Sequence, residues 1–164
     1  MALNAYLKIK GQKHGDVKGS VTQKGREGKI MVIAANHEVL SPTDPASGFA
    51  TGKRQHKPFI ITKEVDKSTP VLYDMLVNNE NITDWELQFW RPSISSRTGV
   101  GTETQYYSVK LSNARIVDIN FHMLNNKNPE LLRYNEYEEI AFSYEKITWS
   151  WNDGGITTED DWGN

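Results

Sequence analysis

The feature that most constrains this chain is an alternation of apolar and polar side chains. It recurs through most of the 164 residues, and a period of two sends successive side chains to opposite faces of an extended strand. Leu3, Ala5, Leu7 and Ile9 fall on one face, with Asn4, Tyr6 and Lys8 on the other. Trp85, Leu87 and Phe89 alternate in the same way with Glu86, Gln88 and Trp90. Residues 30–35 are apolar throughout, which predicts a central strand buried on both sides. Residues 106–111 and 114–123 predict two strands, or one strand bent near Ser112-Asn113, and residues 138–151 a last long strand. Glycines at 11, 15, 19, 25 and 28 mark the early turns.

One segment breaks the strand rhythm with a helical one. Thr69 is a good N-cap, and Pro70 fits the first helical position because its missing N–H would have no partner there. Val71, Leu72, Met75 and Leu76 make an apolar stripe, and residues 78–81 end it. The expected fold is mainly β, with two sheets closed as a barrel and one short α-helix at about residues 69–79. A long extended loop at about residues 41–55 stands apart. It holds Pro42, Pro45, Gly48 and Gly52, with Phe49 as its one large apolar side chain. Loops of that length inside a compact domain are usually functional or disordered.

Size and charge narrow the function classes. A chain this long supports one well-buried core, so residues 1–164 read as a single domain. Its tail at about 152–164 carries Asp153, Glu159, Asp160 and Asp161 and no basic residue. With 19 basic and 21 acidic side chains the net charge is −2, which argues against a nucleic-acid or anionic-membrane binder. There is no cysteine, hence no disulfide, thiolate metal site or cysteine nucleophile. The amino-terminal residues lack the basic and apolar regions of a signal peptide, and no apolar run reaches bilayer length. No stable membrane insertion is expected.

No catalytic pattern emerges. The histidines at 14, 37, 56 and 122 lack metal-site spacing. The stretch Gly48 to Arg54 echoes a phosphate loop but is one residue short and has Arg54 where a hydroxyl must meet magnesium. Glu138 and Glu139 are adjacent on a strand, so they point to opposite faces and do not work as an acid–base pair. No catalytic residue, cofactor or metal is expected. The aromatic residues Trp85, Phe89, Trp90, Tyr106, Tyr107, Trp149 and Trp151 read as core and interface. The alternative is a monomeric β-barrel binding module for sugar or nucleic acid that uses those rings, and an unrecognised small hydrolase is a third reading. Lys53, Arg54, His56 and Lys57 form a basic cluster beside the long loop. Together with the acidic tail they suggest head-to-tail complementarity between copies.

The stretch from His56 to Tyr73 resembles the signature of the Hcp family, which builds the tube of type VI secretion systems. Its matching residues are His56, Pro58, Phe59, Thr62, Lys63, Glu64, Asp66, Pro70, Leu72 and Tyr73. The strand Tyr144 to Trp149 is the second specific piece, and weaker ones include Lys18-Gly19-Ser20, Thr51 to Arg54 and Asp160-Asp161-Trp162. The resemblance implies a two-sheet barrel with a side helix and a long loop, six copies to a ring, and rings stacked into a hollow tube. It also implies sheath, spike and baseplate partners, and effector proteins carried in the lumen. The subunit would wait in the bacterial cytoplasm and then be secreted or delivered to target cells. The long loop would be a stacking arm with Phe49 as its anchor and Lys53, Arg54, His56 and Lys57 at its foot. Lys63, Glu64, Asp66 and Lys67 then read as a charged strand end and turn leading to the helix. The segment 93–102 looks longer and richer in serine than the family's pattern.

Overall fold

A computed structural model describes residues 3–93 and 103–162. Apart from Ser93, the expected loop at 93–102 lies outside the described residues. Half of the structure is strand, in several antiparallel sheets, and one α-helix is present. The strands are β1 (Ala5–Gly11), β2 (Gly15–Asp16), β3 (Ile30–Val32), β4 (Ala34–Asn36), β5 (Val39–Leu40), β6 (Gln55–His56) and β7 (Phe59–Glu64). After the helix α1 (Thr69–Val77) come β8 (Ile82–Pro92), β9 (Glu103–Ser112), β10 (Arg115–His122), β11 (Tyr137–Ser143), β12 (Lys146–Trp151) and β13 (Ile156–Asp161).

One large sheet runs β13-β12-β9-β8-β1-β2, with β3 also paired to β1. A second runs β10-β11-β7-β4. Three short connections carry the chain between them, at Ile33, at Ser112-Asn113 and at Tyr144-Glu145. β9 belongs to the first sheet and β10 to the second, and the bend falls at Ser112-Asn113, where Asn113 adopts a positive φ of 50°. Asn tolerates that left-handed backbone better than most residues. The predicted strand at 138–151 is likewise two strands in two sheets, β11 and β12, because the chain turns the corner at Tyr144-Glu145.

The alternation does what its period requires. Leu7, Ile9, Leu87, Leu111, Ile61, Ile140, Phe142 and Ile147 all face the interior and are buried. Trp85 sits among them, edge-on to Phe59 at 5.1 Å and to Phe142 at 5.4 Å. Leu72 and Met75 close the core from the helix, with Val71 and Leu76 packed at its margin. Thr69 starts the helix as a residue but does not cap it. Ser68 holds the cap position without a side-chain cap bond, and Pro70 stands in the first turn. The Thr69 hydroxyl is engaged elsewhere, accepting from the Asp66 amide and donating to Glu138 Oε1.

Segment 30–35 corrects the expectation of a strand buried on both faces. Ile30 and Val32 are buried, yet Met31 and Ile33 are 43% and 53% exposed. β3 pairs with β1 at one end, while β4 pairs with β7 in the other sheet. The segment spans the seam between the sheets, so its outer apolar side chains meet solvent. The acidic tail carries secondary structure. Residues 156–161 form an ordered edge strand along the whole of β12, from Lys146 opposite Asp161 to Trp151 opposite Ile156.

The turn after β7 also differs from a solvated charged corner. Lys63 is fully buried, and its Nζ lies 2.7 Å from Glu138 Oε1 and 3.1 Å from Asp66 Oδ1. Glu138 is equally buried, whereas Glu139 faces outward toward His122. The two neighbouring carboxylates do point to opposite faces.

Candidate assembly surface: the arm and its root

Residues 41–55 form the distal part of a hairpin rather than an irregular loop. Val39 pairs with His56 and Leu40 with Gln55, and an isolated bridge joins Thr43 to Ala50 further out. The Thr51 amide donates to the Pro42 carbonyl at 2.9 Å, and the Asp44 amide to the Phe49 carbonyl at 2.8 Å. At the tip, the Asp44 carboxylate accepts from the Ala46 amide and the Ser47 hydroxyl. These bonds hold its pKa below the ordinary carboxylate value. Gly48 completes the turn at φ +74°, a backbone that favours glycine. No strand period showed in the sequence here because both faces of a projecting hairpin are wet. Next to Gly48, Phe49 is 76% exposed and is the most exposed large apolar side chain among the described residues.

The root is polar, buried and tied to the far end of the chain. The His56 side chain has no exposure. Its Nε2 lies 2.7 Å from Asp160 Oδ2, its Nδ1 lies 2.9 Å from the Tyr144 hydroxyl, and its ring stacks on Trp162 at 5.6 Å. His37 Nε2 approaches the same hydroxyl at 2.6 Å, and the His37 ring stacks on Phe59. One proton arrangement fits neutral imidazoles. His37 Nε2–H donates to the Tyr144 oxygen, the Tyr144 O–H donates to His56 Nδ1, and His56 Nε2–H donates to Asp160.

Three members of the cluster have shifted pKa values. Burial, and then the neighbouring His56, push the His37 pKa down. Burial, and then the Asp160 charge, push the Tyr144 phenol up. The hydrogen bond from Arg54, aided by His56, holds the Asp160 carboxyl below its usual range. Arg54 Nε donates to Asp160 Oδ2 at 2.5 Å, and an Nη2 hydrogen goes to the Asp161 carbonyl.

Arg54 and His56 therefore meet the acidic tail inside one chain, which corrects the expectation that they bridge two copies. Lys57 is paired with Glu38 at 2.9 Å. Of the four basic residues, Lys53 alone has no anionic partner among the described residues. Sequence reasoning missed His37, Tyr144 and Trp162 as root residues. Only the tertiary fold brings positions about a hundred residues apart together.

The aromatic residues named from the sequence pack into or against the core or carry an arginine over the ring, although Trp151 stays 39% exposed. Trp85 is core, and Phe89, Tyr107 and Trp149 pack against it. The Arg26 guanidinium lies over the Trp90 ring at 4.5 Å, and Arg91 lies over Tyr106 and Trp151 at 4.7 and 5.3 Å. Among the described residues there is no cluster of side chains arranged to hold a metal ion.

Two antiparallel sheets with a side helix and a projecting hairpin define a mainly β class of protein. Residues 6–151 match the family described as "Type VI secretion system effector, Hcp". The chain is 40% identical over 171 aligned positions to the "Major exported protein" of Pseudomonas aeruginosa, covering 99% of this chain and 96% of that one. An Hcp crystal structure superposes with a TM-score of 0.87 at 29% identity, covering 98% of each chain. A mutant Hcp of Escherichia coli pathovar EAEC 042 gives 0.84 at 35% identity, covering 98% of this chain and 99% of that one. The chain belongs to the Hcp family and is a type VI secretion tube protein.

Proposed function

We propose that this chain is the repeating subunit of a hollow type VI secretion tube. Six copies close into a ring, rings stack through the arm, and the lumen carries effector proteins. Sheath, spike and baseplate components are the remaining partners. The subunit waits in the bacterial cytoplasm and leaves with the tube when the machine fires. Phe49 carries the reading. A large apolar side chain held 76% exposed on a hydrogen-bonded hairpin has no role in the core of its own subunit, and a buried aromatic anchor at an interface contributes about 2 kcal/mol or more. Rigidity matters as much as exposure, since an arm already fixed loses little entropy on docking.

A ring repeats one heterologous contact until it closes, and stacking repeats a second that does not close. Negative-stain imaging with mass-resolved chromatography tests the proposal. Rings of six and short stacks are expected, and monomers alone at high concentration and low salt would refute it. Co-expressed effectors should be retained by intact rings and lost when rings are dissociated.

A further inference from the structure

On the outer side of the seam between the sheets there is an apolar depression of about 320 Å³. Val21, Met31, Ile33 and Val65 line it, together with the acidic Glu64 and Asp66. It exists because segment 30–36 passes from one sheet to the other, leaving Met31, Ile33 and Val65 between 43% and 53% exposed. Asp66 is engaged by Lys63 and by Ser68. Glu64 has no ion-pair partner among the described residues.

We propose that this depression receives the Phe49 side chain of a second copy of this chain in the next ring. The inference rests on the stacking reading above and names its receptor. Volume fits: a cavity of about 150 Å³ already holds a benzene molecule, so a phenyl ring enters the depression with room for its walls to adjust. Chemistry fits, since Val21, Met31, Ile33 and Val65 supply aliphatic and thioether groups beside the polar Ser20, Glu64 and Asp66, and methionine sulfur packs well against aromatic rings.

Charge supplies the orientation. The arm brings a cation without an ion-pair partner among the described residues, Lys53, within four residues of Phe49, and the depression brings Glu64, whose carboxylate accepts from the Asn135 amide but likewise faces no cation there. Opposite charges flanking an apolar plug favour one docking polarity and disfavour arm-to-arm or depression-to-depression contact. Knob and hole lie on different surfaces of one subunit, so the contact is heterologous and propagates.

The absence of cysteine makes a crosslinking test clean. Ala50→Cys with Ser20→Cys, which leaves Phe49 and the apolar walls in place, treated with a short bis-maleimide, should link subunits of successive rings, so covalent material elutes as multiples of a ring. Each single variant should give no such series. Stacks visible by electron microscopy but not crosslinked would overturn the assigned contact while sparing the stacking reading. Crosslinks formed within isolated single rings would overturn it as well. A protein that forms monomers only would overturn the stacking reading itself, and the contact with it. In the wild-type background Phe49→Ala should weaken stacking about 30-fold. Lys53→Glu should weaken it less, and Glu64→Lys added to Lys53→Glu should restore it. A charge swap that leaves stacking as weak as Lys53→Glu alone would refute the proposed orientation.

Discussion

Replacing Lys63 with Met is the sharpest test of how the helix is fastened to the second sheet. Both Lys63 and Glu138 are fully buried, and 2.7 Å separates their charged atoms. Lys63 also donates to the Glu64 carbonyl and the Thr69 hydroxyl, and contacts Asp66. Met fills nearly the same volume but offers no donor. Glu138 would keep only the Thr69 hydroxyl on Oε1, because Oε2 already has no hydrogen-bond partner. Breaking one side of a buried pair costs about 3–5 kcal/mol, since the remaining charge is left uncompensated. In a domain of this size each kcal/mol moves the melting temperature by about 2–4 °C, so a fall of roughly 6–20 °C is expected by thermal unfolding. Adding Glu138→Leu should recover most of the loss, because a hydrophobic replacement of a whole buried pair is often nearly neutral. The double-mutant cycle then reads the coupling directly. A Lys63→Met protein within about 1 kcal/mol of wild type would refute the argument. A double variant no more stable than the single one would do the same.

Asp160→Ala should leave Arg54 and His56 without their shared carboxylate. Hydrogen bonds to charged groups are worth about 1.5–3 kcal/mol, so exchange of the arm amide of Thr51 should quicken about 10–100-fold with the core amides unchanged. In Gly19→Ala the new Cβ would collide with the Lys29 carbonyl oxygen and Ile30 Cα. Backbone must shift, at a cost of about 1–3 kcal/mol, whereas Gly52→Ala, where a Cβ meets nothing, should stay within about 0.5 kcal/mol. The pH profile of stability should fall in two steps. His37 has a lowered native pKa, so the unfolded chain takes up its proton first. Stability is full above the ordinary value of 6.5 and declines from there down to the native value. Asp160 has a lowered native pKa too, and its contribution is present above 3.8 and lost as pH falls through the native value. His37→Gln should remove the first step in a melting-temperature series and keep the second.

Period-two patterning and a Pro70-headed helix were enough to read the β class and the helix. They act through local sterics and burial, which a single chain segment expresses by itself. Segment 30–35 shows where that reading stops. An apolar run reads the same whether it is buried on both sides or crosses a seam with one side wet, and only the pairing partners decide. Lys63 shows a second limit. A lysine in a charged turn looks solvated until Glu138, 75 positions away, arrives on the adjacent strand. The arm root was partly legible: the basic cluster and the acidic tail both stood out by composition, but whether they meet within one chain or between two is a question of topology. Phe49 stood out because an aromatic residue among prolines, glycines and serines has no local use, and the fold leaves it exposed.

Arm and root also impose an order in time. The hairpin at 39–56 is made early, yet what fixes its base is Tyr144, Asp160 and Trp162. During synthesis those residues emerge about a hundred positions later, so a nascent chain displays the apolar tip on an unmoored strap. Only when β13 zips along β12 does the strap become a fixed lever. Under the proposed stacking role, docking on a neighbour would wait until the last strand is in place, and half-made subunits would stay out of the polymer.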